Sequence, residues 1–389
     1  MAVYLLFRAQ KYLVIFGALY LALVLLLTIP YFQSHALYLN AVKLPLFANF
    51  DTPERYGLAP NRTLNLKIRT ADNETIGAWF ILSNPYYQSL PTIPSNVADH
   101  VEPALKERPV ILFLHGNAAT RAFSARIQHY QAFSTRLGAN VLAIDYRGFA
   151  DSSGTPSEVG LVADAQAAFE WLVDHGKKPE DILVIGHSLG TGVSGQLGAK
   201  LASEGVRPKG IVLLSPFSSI HEVLDTYHMF GTIPLIKPIA AIPYAADFVK
   251  GAVVHRFDTL KAVPNITAPV LIAHAVNDWD IPHTHSDVLF NAFLEPHLPP
   301  VDLPDNAFTI TSEQWAVISE QQKVRQVKRD SLLKKTKIDN FGEIDELYDS
   351  AEDRRIVLVK TLAGAHDYLG VQEGLVDIIG KTFNVLQFN

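Results

Sequence analysis

The sequence predicts an α/β architecture built on a doubly wound, mostly parallel sheet, and three observations predict it. Short unbroken apolar runs recur along the chain: VILFL at 110–114, NVLAID at 140–145, DILVIG at 181–186, GIVLL at 210–214 and PVLIA at 269–273. Helical stretches separate them, among them 121–137 and 157–175, and this alternation is the signature of strands buried on both faces. Polar and small residues follow the runs, at Gly116, Gly148, Ser188, Ser215 and Asp278, where ligands bind in such sheets, outside the strand carboxyl ends.

The elements follow in order. A chain of 389 residues suits one large domain with appendages. From Tyr12 to Ser34 there is no charged residue, and 12 of the 17 positions in LVIFGALYLALVLLLTI are Leu, Ile, Val or Phe. At roughly −0.3 to −0.6 kcal/mol each, they favour membrane insertion by about 4 to 7 kcal/mol. A transmembrane anchor over 12–34 is therefore expected, and the run is long for the core of a cleaved signal peptide. Arg8 and Lys11 precede it and only Lys43 follows closely, which places residues 1–11 in the cytosol and the body across the membrane. The sequons at Asn61, Asn73 and Asn265 agree with a glycosylated lumenal body, with the endoplasmic reticulum as its expected membrane.

Residues 35–60, interrupted by Pro45, Pro53 and Pro60, read as a linker to a domain over 61–389. Thr63–Arg69 and Thr75–Ile81 read as a strand pair, and the Pro-rich stretch 86–109 as a surface loop. Two stretches break the alternation. Residues 217–263 are apolar in their middle and read as a lid, with Met229, Phe230, Ile236 and Ile239 as expected substrate contacts. Residues 295–353 read as an insertion, with 321–337 as a solvated helix face. No Cys is present, which excludes disulfides and thiolate chemistry, and a net charge of −6 gives no reason to expect nucleic acid.

Chemistry concentrates at Gly186-His187-Ser188-Leu189-Gly190. This G-x-S-x-G lies between an apolar run and a helix, where a sharp turn lifts a serine above the sheet edge and flanking side chains would clash. Such a serine needs a base and an acid, and the order expected for this turn is Ser, Asp, His. Asp278 follows the run ending at Ala273, and His366 follows the last run, RRIVLVKTL. The amides of Asn117 and Leu189 are placed to hold a developing oxyanion. Asp280 is the rival acid. His187 reads as packing, Arg147 as a structural ion pair and Asp151, Ser152 and Ser153 as local caps. His283 and His285 resemble half a metal site with no carboxylate or third His at a ligand spacing, so neither metal nor cofactor is expected.

LFLHGNAATRA, IDYRGFADSSGTPSEVGLVADA, VIGHSLGTGV and LLSPFSS, with the D-x-x-I-P and G-x-H pairs, resemble the α/β-hydrolase-domain-containing protein 12 family. That resemblance implies an α/β-hydrolase fold with a helical lid and a membrane-anchored serine hydrolase acting on monoacylglycerol or lysophospholipid esters. It lands the triad on Ser188, Asp278 and His366. The subgroup sharing HGNA and DYRG also holds depalmitoylating enzymes, so a thioesterase, a general esterase or peptidase, and a silent membrane scaffold stand as alternatives. Two departures are visible: Trp279 follows the acid where Pro is commoner, and 88 residues separate Asp278 from His366 (366 − 278), room for an insertion that extends or covers the site.

Overall fold

The computed structural model describes residues 2–226, 228–229, 233–234, 238, 242, 244–302 and 311–385. The strands are β1 Thr63–Arg69, β2 Thr75–Ile81, β3 Val110–Leu114, β4 Asn140–Asp145, β5 Ile182–His187, β6 Gly210–Leu214, β7 His228–Met229, β8 Ile233–Pro234, β9 Val270–Ala275, β10 Leu333–Ile338, β11 Gly342–Asp349 and β12 Arg354–Thr361. Ten form one sheet in the order β1-β2-β4-β3-β5-β6-β9-β12-β11-β10, while β7 and β8 pair separately. The six strands from β4 to β12 run parallel; β2 and β11 pair antiparallel onto their two edges, and the outermost β1 and β10 pair antiparallel onto these in turn.

Burial explains the unbroken apolar runs. Along β3, Leu112 and Leu114 pack with Leu161, Val193 and Leu197, from helices Glu158–Asp174 and Leu189–Ser203. Ile111 and Phe113 face the other way, onto Phe133, Leu375 and Ile379 of helices Ser124–Arg136 and Glu373–Thr382. Neither face meets water, so no polar alternation is required.

Three expectations need correction. The stretch 86–109 is not a loop. It carries helix Val101–Glu107, and Val97, Val101, Ala104 and Leu105 are buried in the core despite the prolines. Residues 35–60 do not hang free: Tyr38, Pro53 and Leu58 are buried, and the Phe50 carbonyl accepts the Trp79 Nε1–H at 2.9 Å. In the insertion, helix Ser312–Leu332 hands over to β10 and β11, which widen the sheet beyond β12. Because β10 runs in the same sense as β12, the handover falls at the amino edge, opposite the strand carboxyl ends. The described part therefore extends the sheet sideways, beyond β12.

Helix Ala2–Leu26 contains a 19-residue stretch, Arg8–Leu26, of mean hydropathy 1.9 and only 6% buried within the molecule. It is long and apolar enough to cross a bilayer, with a rise of about 28 Å against a hydrocarbon core of about 30 Å. Its end is seated on the stretch 217–263: Val24 and Val249 are buried together, with Tyr20, Leu224, Ala245 and Ala246 around them.

Candidate active site

Ser188 stands between β5 and helix Leu189–Ser203 with φ 52° and ψ −119°. A non-glycine residue held there costs about 1–3 kcal/mol. The strain is held by hydrogen bonds from the Ser188 amide to the Leu214 carbonyl (3.0 Å) and from the Thr191 amide to the Ser188 carbonyl (2.8 Å). The flanking glycines are needed for space. A Cβ on Gly190 would sit 2.0 Å from the Leu114 oxygen, and one on Gly186 2.3 Å from the Gly190 oxygen.

His366 lies in the loop after β12, and its Nε2 is 2.8 Å from Ser188 Oγ. Its Nδ1–H donates to Asp278 Oδ2 at 2.8 Å. Asp278 Oδ1 accepts the amides of Asp280 (2.9 Å) and Ile281 (3.0 Å), so Asp280, itself exposed, holds its neighbour through the backbone. Burial favours the neutral form of His366, but the hydrogen bond and charge of Asp278 outweigh it and hold the imidazole above its ordinary 6.5. Burial likewise pushes the Asp278 carboxyl up; hydrogen bonds from His274, His366 and the Ile281 amide prevail and keep it well below the usual carboxylate range.

The surrounding groups fix this geometry. The His366 carbonyl accepts from His187 Nε2 (2.9 Å) and Ser215 Oγ (3.3 Å), and Asn277 Oδ1 accepts the Ala365 amide (2.9 Å). His274, fully buried at the end of β9, shares its Nε2–H between Asp278 Oδ2 (3.2 Å) and the Ile281 carbonyl (2.9 Å), while Ser286 Oγ lies 2.6 Å from its Nδ1. Ser215 and the stretch 274–278 fall at strand ends, where the sequence places the site, but the contacts of His274, Asn277 and Ser215 were not among its expectations. A histidine four residues before Asp278, at a strand end, was the available signal for the first of them. His187 does more than pack, since it tethers the backbone of His366; burial pushes it well below 6.5, so it stays neutral.

Across from Ser188 runs the loop Gly116–Thr120. A Cβ on Gly116 would lie 3.1 Å from the Ser188 Cβ, so the backbone beside Asn117 approaches Ser188 closely. The Leu189 amide is the first N–H of its helix, a position with no intrahelical acceptor. The remaining sequence candidates fall elsewhere. Arg147 pairs with Asp164 (2.8 Å) and Asp72 (2.6 Å) as a structural bridge. Asp151, Ser152 and Ser153 are not local caps: Asp151 binds Arg121 (2.7 Å) and Lys67 (2.6 Å), and the two serines accept the Gly77 and Thr75 amides of β2. A carboxylate does lie by His283, namely Asp287, one helical turn on at 3.4 Å. His285 instead bonds Ser218 (2.9 Å) and Thr226 (3.1 Å). Among the described residues, the group spaced for a metal is Asp278, Asp280 and His366, where both imidazole nitrogens already have partners. Asn61, Asn73 and Asn265 are all exposed. Phe230, Ile236 and Ile239 lie outside the described residues, and of Met229 only the backbone of β7 is described.

A parallel sheet that presents a serine on a strained strand-to-helix turn, within reach of a histidine, defines a serine ester hydrolase of the α/β-hydrolase class. The alpha/beta hydrolase family model matches residues 111–359. Within that class the chain belongs to the family of the lysophosphatidylserine lipases ABHD12. It is 33% identical to lysophosphatidylserine lipase ABHD12 of Rattus norvegicus over 290 residues, which is 73% of this chain and 70% of that one. The Danio rerio protein of the same name is 32% identical over 281 residues, covering 72% and 71%. Protein ABHD12B of Homo sapiens is 30% identical over 269 residues, covering 65% and 67%. Among solved structures, an alpha-beta hydrolase from Vibrio vulnificus superposes with a TM-score of 0.54 at 17% identity, covering 90% of this chain and 92% of that one. A Pyrococcus furiosus esterase gives 0.50 at 16% identity, covering 88% and 97%. Both share the fold.

Proposed function

We propose that this protein hydrolyses long-chain monoacylglycerol or lysophospholipid esters at a bilayer, with Ser188 as nucleophile, His366 as general base and Asp278 as the orienting acid. The observation that carries this is the unbroken chain of two 2.8 Å hydrogen bonds from Ser188 through His366 to Asp278. Ser188 Oγ attacks the acyl carbonyl carbon and gives its proton to His366 Nε2, while the amides of Asn117 and Leu189 take up the oxyanion. Removing one such donor typically costs about 2.7–4 kcal/mol. Collapse of the tetrahedral adduct expels the alcohol headgroup, which leaves with the proton from His366. Water, deprotonated by the same imidazole, then frees the fatty acid and restores Ser188.

A lipid substrate is supported by the lipase names of the relatives and by the apolar helix seated against Val249 beside the site's lid region. That helix acts as a single-pass anchor, with residues 1–11 cytosolic and the body lumenal in the endoplasmic reticulum, where the exposed sequons are open to glycosylation. Each acyl methylene buried is worth about 0.8 kcal/mol. Accordingly kcat/KM on full-length enzyme in mixed micelles is expected to climb steeply from acetyl to long-chain monoacyl esters, and Ser188→Ala is expected to abolish turnover at every length. A best substrate that is a short soluble ester or a peptide overturns the lipase reading; residual turnover by the Ser188→Ala protein overturns the triad.

A further inference from the structure

Between the apolar helix and β1, the chain does something that its sequence does not announce. Residues 38–44 lay three carbonyls against three successive amides of the loop that faces Ser188. The Ala118 amide donates to the Tyr38 carbonyl (2.8 Å), the Ala119 amide to Val42 (2.7 Å) and the Thr120 amide to Leu44 (3.0 Å). Thr120 Oγ1 adds a second bond to Leu44 at 3.0 Å. From the inside, buried Arg126 reaches the carbonyls of Gly116 (3.0 Å), Asn117 (3.0 Å) and Ala118 (2.6 Å) through one nitrogen.

The loop needs holding. Ala118 and Ala119 sit at φ 55° and 51°, two consecutive left-handed residues that are not glycine. Such a backbone persists only where its surroundings over-determine it. The strap is itself fastened. Asn40 Nδ2 donates to the Gly148 carbonyl (3.0 Å) and Lys43 Nζ to the Ala150 carbonyl (2.7 Å). Tyr38 is fully buried against His255 and Phe257, with ring centroids 5.5 Å and 6.2 Å away.

We infer that residues 38–44 are a positioning strap for the oxyanion site, clipped by Asn40 and Lys43, so that the segment leaving the membrane helix sets where the Asn117 amide stands. This rests on the assignment of that amide to the oxyanion. Side chains cannot remove the strap's carbonyls, but they can unclip it. Asn40 and Lys43 lie away from the hydrophobic core, so replacing both with Ala loosens the strap without opening a cavity.

The test uses full-length protein in detergent with a short soluble ester, and a trifluoromethyl ketone as a probe whose adduct places an oxyanion in the same spot. The Asn40→Ala/Lys43→Ala protein is expected to lose about tenfold in kcat with KM unchanged, and to bind the ketone about tenfold more weakly. Adding Ala118→Gly should recover most of that loss, because glycine adopts positive φ without help from the strap. Thr120→Val, which deletes one hydroxyl bond to Leu44, should move kcat and ketone binding in the same sense by about threefold. Wild-type kcat and ketone affinity in the unclipped protein overturn the strap. So does a loss in which KM and thermal midpoint move together and Ala118→Gly restores nothing. Turnover surviving in Ser188→Ala would instead overturn the underlying triad, whatever the strap variants do.

Discussion

At the scale of single residues, the site is a lesson in what decides between near neighbours. Asp278 and Asp280 are two positions apart and chemically equal, yet one is buried and bonded to His366 while the other is exposed. A pH prediction follows from the base. Its imidazole must be neutral to take the Ser188 proton, and Asp278 raises its pKa, so activity is lost as pH falls through a value above 6.5. The acid limb of kcat/KM should therefore be centred above about 6.5. Asp278→Asn should lower kcat by about 10⁴-fold and move the limb downward, as the charge that raises His366 disappears. A limb that stays put in that variant would mean another group sets it. Ser188, Asp278 and His366 were legible as candidates because each follows a strand end and carries a reactive side chain. The positions of His274 and Ser215 at strand ends were legible too, but not their partners, since a buried His or Ser gives no sign in sequence of the atom it will meet.

Elements show a sharper divide. The turn around Ser188 could be read locally because its demands are local: two small residues at fixed offsets and a strand and helix on either side. Gly190 tests this. With a Cβ only 2.0 Å from the Leu114 oxygen, Gly190→Ala must shift β3 or the helix, at a cost of about 1–3 kcal/mol or more. Fluorophosphonate labelling of Ser188 should vanish and the thermal midpoint fall; wild-type labelling would show the turn to be pliable. The strap, by contrast, works through main-chain carbonyls, which every residue carries, so nothing in its composition separated it from a linker. β10 was missed for a related reason. Past Leu333 its residues are exposed on both faces, which leaves no alternation to read. Its Lys334, Lys335 and Lys337 also suit an outermost strand, where charge discourages pairing with another chain.

Over the whole molecule, the question is how the catalytic body stands relative to the membrane. The excess of Arg8 and Lys11 over the charge that follows the apolar helix predicts a lumenal body. In sealed microsomes it should resist added protease until detergent is supplied, and complete digestion without detergent would reverse the orientation. The seat of Val24 on Val249 carries this further. An enzyme hung on a slack tether samples the aqueous volume around it; one bolted to its own membrane helix meets its substrate in a plane. For such an enzyme the relevant concentration is moles of ester per mole of lipid. Diluting the ester with inert phospholipid, at constant total ester, should slow turnover in proportion, whereas diluting the vesicles with buffer should leave the rate per enzyme unchanged.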